Sequence, residues 1–137
     1  MNKISSFSYK FIFSLFCISF LNTNLFAENS TNHLKTIIFG AGCFWSVEKK
    51  FQESYGVVNV ESGYADGKNI KPVYKEIIKR ENRFNPNNFA EVVRVTYNSN
   101  QTDFESLVRI FFEMHDPTQI NRQGNDIGTQ YRSLILA

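Results

Sequence analysis

From residue 36 onward the hydrophobic period of this chain switches repeatedly between about two, the spacing of a half-buried strand, and about 3.6, the spacing of a helix with one buried face. Thr36-Ile-Ile-Phe39 is a short β-rich run closed by Gly40-Ala-Gly42. From Cys43 the period becomes helical, with Phe44, Val47 and Phe51 on one face and Glu48, Lys49 and Lys50 on others. Val57 to Tyr64 reads as a strand ended by the turn-like Ala65-Asp-Gly-Lys68, and Val73 to Lys79 as a short helix with Pro72 at its first position. A polar loop, Arg80 to Asn88, precedes the alternating strand Ala90 to Tyr97. Thr102-Asp-Phe-Glu105 has the form of a capping box, and Phe104, Leu107, Val108 and Phe111 make one apolar stripe that should face a sheet. After His115-Asp-Pro117 comes a Gly-, Asn- and Gln-rich segment without periodicity up to Gln130, and such long loops in compact domains are usually functional. Tyr131 to Leu136 reads as a last strand. Strands alternating with helices, with connections long enough for crossovers, imply an α/β (α+β) two-layer sandwich: a ferredoxin-like mixed sheet with helices on one face.

The first residues follow a different logic. Lys3 and Lys10 lie in an acid-free opening, an apolar run extends from Phe11 to Leu21, and a polar stretch ends at Leu25-Phe26-Ala27. That order is the order of a secretory signal, with cleavage after Ala27 and an exported, periplasmic or secreted product; an uncleaved membrane anchor is the alternative. Residues 28–35 are then a flexible lead-in and 36–137 one domain. Loss of residues 1–27 leaves 110 of the 137 residues and takes Lys+Arg from 15 to 13, equal to the 13 Asp+Glu. A balanced charge gives no footprint for nucleic acid. Of the two cysteines, Cys17 departs with the signal and Cys43 is left alone, an odd thiol in an oxidising compartment. One Cys with His33 and His115 offers no metal-ligand spacing.

Gly40-Ala-Gly-Cys-Phe-Trp45 places that thiol at a strand-to-helix junction. Glycines there allow a tight backbone and close approach of a substrate, and a helix N-terminus favours negative charge on sulfur. By position alone, a small buried cysteine that merely packs is an equal alternative. Aromatic residues at helix starts fill cores more often than they line sites, although Phe44 and Trp45 could hold a small apolar group against the sulfur.

Beyond these residues the chain resembles the A-type peptide methionine sulfoxide reductases. The resemblance rests on Gly42-Cys-Phe-Trp45, Glu61-Ser-Gly-Tyr-Ala65, Ala90-Glu-Val-Val-Arg-Val95, His115-Asp-Pro-Thr-Gln119 and, most strongly, Arg122-Gln-Gly-Asn-Asp-Ile-Gly-Thr-Gln-Tyr-Arg-Ser133. It runs in collinear order through nearly all of residues 36–133. It implies that Cys43 is the nucleophile toward the sulfoxide sulfur, that Phe44 and Trp45 wall a pocket for the methyl group, and that Glu91 is a buried acid at the sulfoxide oxygen. It further implies that Tyr74 and Tyr131 are phenols around that oxygen, with Asp126 lining the same site. Sulfoxide oxygen leaves poorly until protonated, so an acid with a raised pKa facing the thiolate suits the chemistry. The product would be methionine and a sulfenic acid on Cys43. Taken singly, Glu91 would be a strand-end carboxylate, Tyr74 a half-exposed helix aromatic, Asp126 a turn residue and Tyr131 a strand core residue. The chain departs from the family pattern at Ser46, Phe89 and Ile127, and the loop from Arg80 to Asn88 looks like an insertion.

The resemblance also implies no bound cofactor, an external thiol reductant such as a dithiol or a thioredoxin-like protein, oxidised proteins or free methionine sulfoxide as partners, and a monomer. Members of the family continue past this Tyr-Arg-Ser segment, so a missing C-terminal part is expected. An inactive remnant or binding module is therefore the first alternative function. The second is a cysteine hydrolase using Cys43, His115 and Asp116, although His115, at a helix end before a proline, suits a cap better.

Overall fold

The computed structural model describes residues 33–68 and 70–137; the expected signal and residues 28–32 of the lead-in lie outside the described residues. The principal elements are strand β1 (Leu34–Gly40), helix α1 (Phe44–Gln52), strand β2 (Val57–Ala65), a four-residue helix α2 (Tyr74–Ile77), strand β3 (Ala90–Asn98), helix α3 (Phe104–Met114), the two-residue strands β4 (Arg122–Gln123) and β5 (Asp126–Ile127), and strand β6 (Leu134–Leu136). The main sheet has the order β2-β3-β1-β6, and each neighbouring pair is antiparallel. The ferredoxin-like sandwich is thus present, with the parallel relations of its crossovers falling between strands that are not neighbours, β1 with β2 and β3 with β6.

Alternation along the strands decides which face is covered. Ile37 and Phe39 of β1 stand opposite Val95 and Val93 of β3, and Val60 of β2 is paired with Val95 from the other side. Val47 and Phe51 of α1 and Leu107 and Phe111 of α3 pack onto this face and close the core. Its centre is Phe39, fully buried, stacked on Phe51 at 4.8 Å and on Phe111 at 5.2 Å between ring centroids. Such ring pairs add about 0.5–1.5 kcal/mol each beyond the area they bury. On the opposite face Arg94 meets Glu61 at 2.6 Å, an exposed pair of little energetic consequence.

Several boundaries differ from the sequence expectation. Strand β1 starts at Leu34, so Leu34 and Lys35 pair with Asn98 and Tyr97 rather than lying in a loose lead-in. The cap of α3 is Asp103, whose carboxylate accepts the Ser106 N–H at 2.7 Å, not the Thr102–Glu105 pair. Thr102 is instead packed against Gly56, where φ is +79° and an added Cβ would come within 2.7 Å of it. Phe104, now the first helical residue, stays exposed, while Val108 joins the core edge. Val73, not Pro72, precedes the short α2 in extended conformation, so the proline lies outside the helix. Tyr131 ends a 3-10 turn, Thr129–Tyr131, and the last strand begins only at Leu134.

The segment from Arg80 to Asn88 is a built element rather than a solvated loop. It opens with a 3-10 turn, Arg80–Asn82. Asn88, fully buried, donates its amide to the carbonyls of Ile77 and Asn82 at 3.1 and 3.0 Å, and Asn82 donates to Glu76 O at 2.7 Å. Asn88→Ala should lower stability by roughly 1–3 kcal/mol, because the buried Ile77 carbonyl loses its donor while Asn82 O keeps the Asn85 N–H. Urea unfolding of the full chain measures it, and a loss below about 0.5 kcal/mol would show the segment to be held otherwise.

Candidate active site

The junction between β1 and α1 is the tightest turn near Cys43. Gly42 has φ +92°, and a Cβ there would lie 2.8 Å from the Gln123 Cβ. Glycine is therefore needed both for the backbone conformation and for the contact that seats the β4–β5 hairpin against the loop before Cys43. Cys43 follows as the N-cap of α1, half-buried and free, with φ −59° and ψ 120°. Its own carbonyl accepts the Ser46 hydroxyl at 2.9 Å.

The first N–H of α1 is occupied. The Phe44 backbone donates to Glu91 Oε2 at 3.2 Å, which puts the carboxyl immediately beside the cysteine. Glu91 shares the inward face of β3 with Val93 and Val95, and it directs a carboxyl where the core residues direct methyl groups. It is only 4% exposed. Burial pushes its pKa above the ordinary carboxylate range. The Phe44 N–H and the Gln130 amide oppose that rise, and the negative charge of Asp126 adds to it.

Two phenols stand by this carboxyl, and a third, Tyr74, lies near Tyr64. Tyr131 has its pKa raised, first by burial and then by Glu91, Asp126 and Cys43, with Gln130 acting the other way. Tyr64, directly across from Glu91 in the β2–β3 register, is pushed up to about 12 by burial, then by Glu91, Tyr74 and Tyr131. Both remain protonated donors at neutral pH. The Tyr64 ring also lies against Phe44, 5.6 Å between centroids and tilted by 49°. Tyr74, the first residue of α2, and Asp126, in β5, are exposed at the margin, near enough for their charges to act on Tyr64 and on Glu91 and Tyr131 respectively. Phe44 is half-buried against the core edge, whereas Trp45 is 76% exposed and no ring stacks on it among the described residues.

The sequence reading assigned no role to Tyr64 or Gln130. Both lie inside quoted motifs, yet only the strand register shows that Tyr64 faces Glu91. Gln130 is buried at 6% exposure in the 3-10 turn that carries Tyr131.

The hydrolase constellation does not assemble. His115 caps α3, with Nδ1 at 2.6 Å from Phe111 O and Nε2 at 2.9 Å from Ser133 Oγ, so both ring nitrogens are engaged away from Cys43. The Asp116 carboxylate accepts from Thr118 and Gln119 instead of orienting the imidazole. What remains around Cys43 is a thiol, a buried carboxyl whose pKa is raised, and phenolic donors. That set suits transfer of an oxygen atom to sulfur with protonation, not acyl transfer.

Comparison with known proteins agrees. Residues 35–137 match the family model described as peptide methionine sulfoxide reductase. The chain is 48% identical over 101 residues to peptide methionine sulfoxide reductase MsrA of Natronomonas pharaonis, covering 74% of this chain and 54% of that protein. It is 48% identical over 97 residues to peptide methionine sulfoxide reductase A1 of Arabidopsis thaliana, covering 71% and 46%. Among solved structures, methionine sulfoxide reductase A of Corynebacterium diphtheriae superposes with a TM-score of 0.69 at 45% identity, covering 77% of this chain and 47% of that one. Mxr1 of Saccharomyces cerevisiae in reduced form gives 0.66 at 33% identity, covering 77% and 60%. The chain thus spans about half the length of these relatives. With the family model matched over residues 35–137 and relatives at 48% identity, the chain belongs to the peptide methionine sulfoxide reductase family.

Proposed function

We propose that this protein reduces the S epimer of methionine sulfoxide, free or within oxidised proteins, through the thiolate of Cys43. The observation that carries the proposal is the 3.2 Å bond from the Phe44 N–H to Glu91, which holds a buried carboxyl of raised pKa next to the only cysteine of the described residues. In the proposed reaction the Cys43 sulfur attacks the sulfoxide sulfur while Glu91 gives its proton to the oxygen. The oxygen passes to Cys43, the substrate sulfur leaves as a thioether, and the two electrons come from the thiol, which becomes a sulfenic acid. Tyr131 and Tyr74 donate to the oxygen as charge develops there, Asp126 lines the approach, and Phe44 with Trp45 receives the methyl group. Two external thiols, from a dithiol or a thioredoxin-like protein, then return Cys43 to the thiol and release water and a disulfide.

The same proposal includes export with removal of residues 1–27, supported by the lysine-bearing, acid-free start, the apolar run to Leu21 and Ala27. N-terminal sequencing of the exported protein should begin at Glu28; an intact Met1 would favour the anchored alternative.

Without reductant, the chain is expected to form one methionine per protein and to carry one added oxygen on the Cys43 peptide, trappable by a sulfenic-acid reagent. Cys43→Ser should abolish the reaction while leaving the thermal melt nearly unchanged. A folded parent chain that forms no methionine would favour the binding-module alternative.

The raised pKa of Glu91 has a cost of known sign. Between the ordinary carboxyl range and the raised native value, the folded chain holds a proton that the unfolded chain has released. Stability is therefore greatest at low pH in this respect and falls as pH rises through that window. Glu91→Gln should slow single-turnover reduction by roughly a hundred- to ten-thousandfold. In urea unfolding the same variant should be at least as stable as the parent at neutral pH, with the advantage fading toward acid pH. An unchanged rate would move the proton donor elsewhere, to Tyr131 first.

A further inference from the structure

One guanidinium ties together the three segments on which the acid and the phenols stand. Arg132 donates through Nη1 to Thr129 O at 2.7 Å and to Asn88 O at 3.1 Å. Through Nη2 it donates to Asp66 O at 2.6 Å and to Asp66 Oδ2 at 2.9 Å. Each acceptor is close in sequence to a residue of the site. Asp66 is two residues past Tyr64, Asn88 is three before Glu91, and Thr129 is two before Tyr131. The β2–β3 ladder ends at the Ala65–Ala90 pair, so Asp66 and Asn88 lie just beyond it, and Thr129 belongs to a 3-10 turn outside the sheet. Asp66 leaves β2 with φ +55°, a conformation that costs energy for a non-glycine residue. The 3-10 turn that carries Tyr131 is otherwise tethered through the bond from Thr129 N to Arg83 O at 2.8 Å. The Arg132 side chain is 17% exposed, and its bonds to Asn88 and Thr129 are partly buried, whereas the contact with Asp66 lies at the surface.

We propose that Arg132 is a positioning residue of the reductase site, a clasp that sets the turn carrying Tyr131 against the end of the β2–β3 ladder that carries Glu91 and Tyr64. The inference rests on the functional reading above and adds to it the group that aligns the proton donors. A planar fork with several fixed donors can meet acceptors on three separate segments at once, whereas a lysine ammonium at the end of a flexible stem cannot reproduce that geometry. Loosening the clasp frees the backbone next to the buried acid, so water reaches Glu91 and the alignment of acid, phenols and sulfur is lost. Displacements of about an ångström at such a site cost up to about a hundredfold in rate.

The test uses the full chain with Arg132→Met, Arg132→Lys and Asp66→Gly, the last of which removes the carboxylate contact while easing the positive φ. Three quantities are measured: thermal unfolding, single-turnover reduction of methionine sulfoxide against pH, and the titration midpoint of the Glu91 carboxyl by carbon NMR, assigned with Glu91→Gln. In folded Arg132→Met the midpoint should fall toward the ordinary carboxyl range, and the maximal rate should drop about ten- to a hundredfold with little change in KM. Arg132→Lys should recover neither fully, and Asp66→Gly should move both quantities less, in the same direction. An Arg132→Met chain that folds and keeps both the parent midpoint and a rate within about twofold overturns the proposal, as does complete recovery by lysine. If Arg132→Met does not fold, the midpoints of the other two variants decide. A parent chain inactive toward methionine sulfoxide would refute the functional reading alone, since the Glu91 midpoint still reports on the clasp.

Discussion

A carboxyl buried at the end of a strand and held by the first N–H of a helix is the contact on which this molecule is organised. Glu91 and Phe44 are 47 positions apart, and their bond links the end of the sheet to the start of α1. It also spends a helix N–H that would otherwise be free for the neighbouring sulfur. Cys43 and its acid therefore share one helix terminus. The carboxyl is close to the Cys43 thiol because both are fixed to the same helix terminus, and the helix is kept in place because the core residues Val47 and Phe51 bury its other side.

Such a site conflicts with stability, and the fold shows where the conflict is absorbed. A buried acid with a raised pKa weakens the folded state wherever it must ionise. The compensation is apolar and lies a few residues away, in the Phe39, Phe51 and Phe111 stack and the interleaved valines of β1, β2 and β3. The reactive groups occupy one end of the sandwich. The rest of the covered face is an ordinary close-packed core.

Around the site the irregular segments are held by polar groups rather than by ladders. Asn88 and Asn82 organise the stretch before β3, and Gly42 admits Gln123. Gly67 packs so closely on Phe89 that an added Cβ would clash with the ring. Phe89, which departs from the family pattern, thus has a packing role in this chain. The segment that looked like an insertion contributes an anchor for the 3-10 turn carrying Tyr131. Bonds between segments this far apart in sequence have no periodic signature.

The sequence by itself determined the order of the main strands and helices along the chain, most of the apolar stripe of α3, and the place of Cys43 at a strand-to-helix junction. Those properties are local: alternation, helical spacing, and a glycine-flanked cysteine where the period changes. It also pointed to Glu91, Tyr131, Tyr74 and Asp126, but only through resemblance, because nothing in the spacing of those residues says that they meet. Tertiary structure decided the rest. The β2–β3 register placed Tyr64 against Glu91, the 3-10 turn took Tyr131 out of the last strand, and the Gly56–Thr102 contact moved the α3 cap to Asp103. Each of these depends on which distant segment lies alongside, and hydrophobic periodicity records only which side of a segment faces inward.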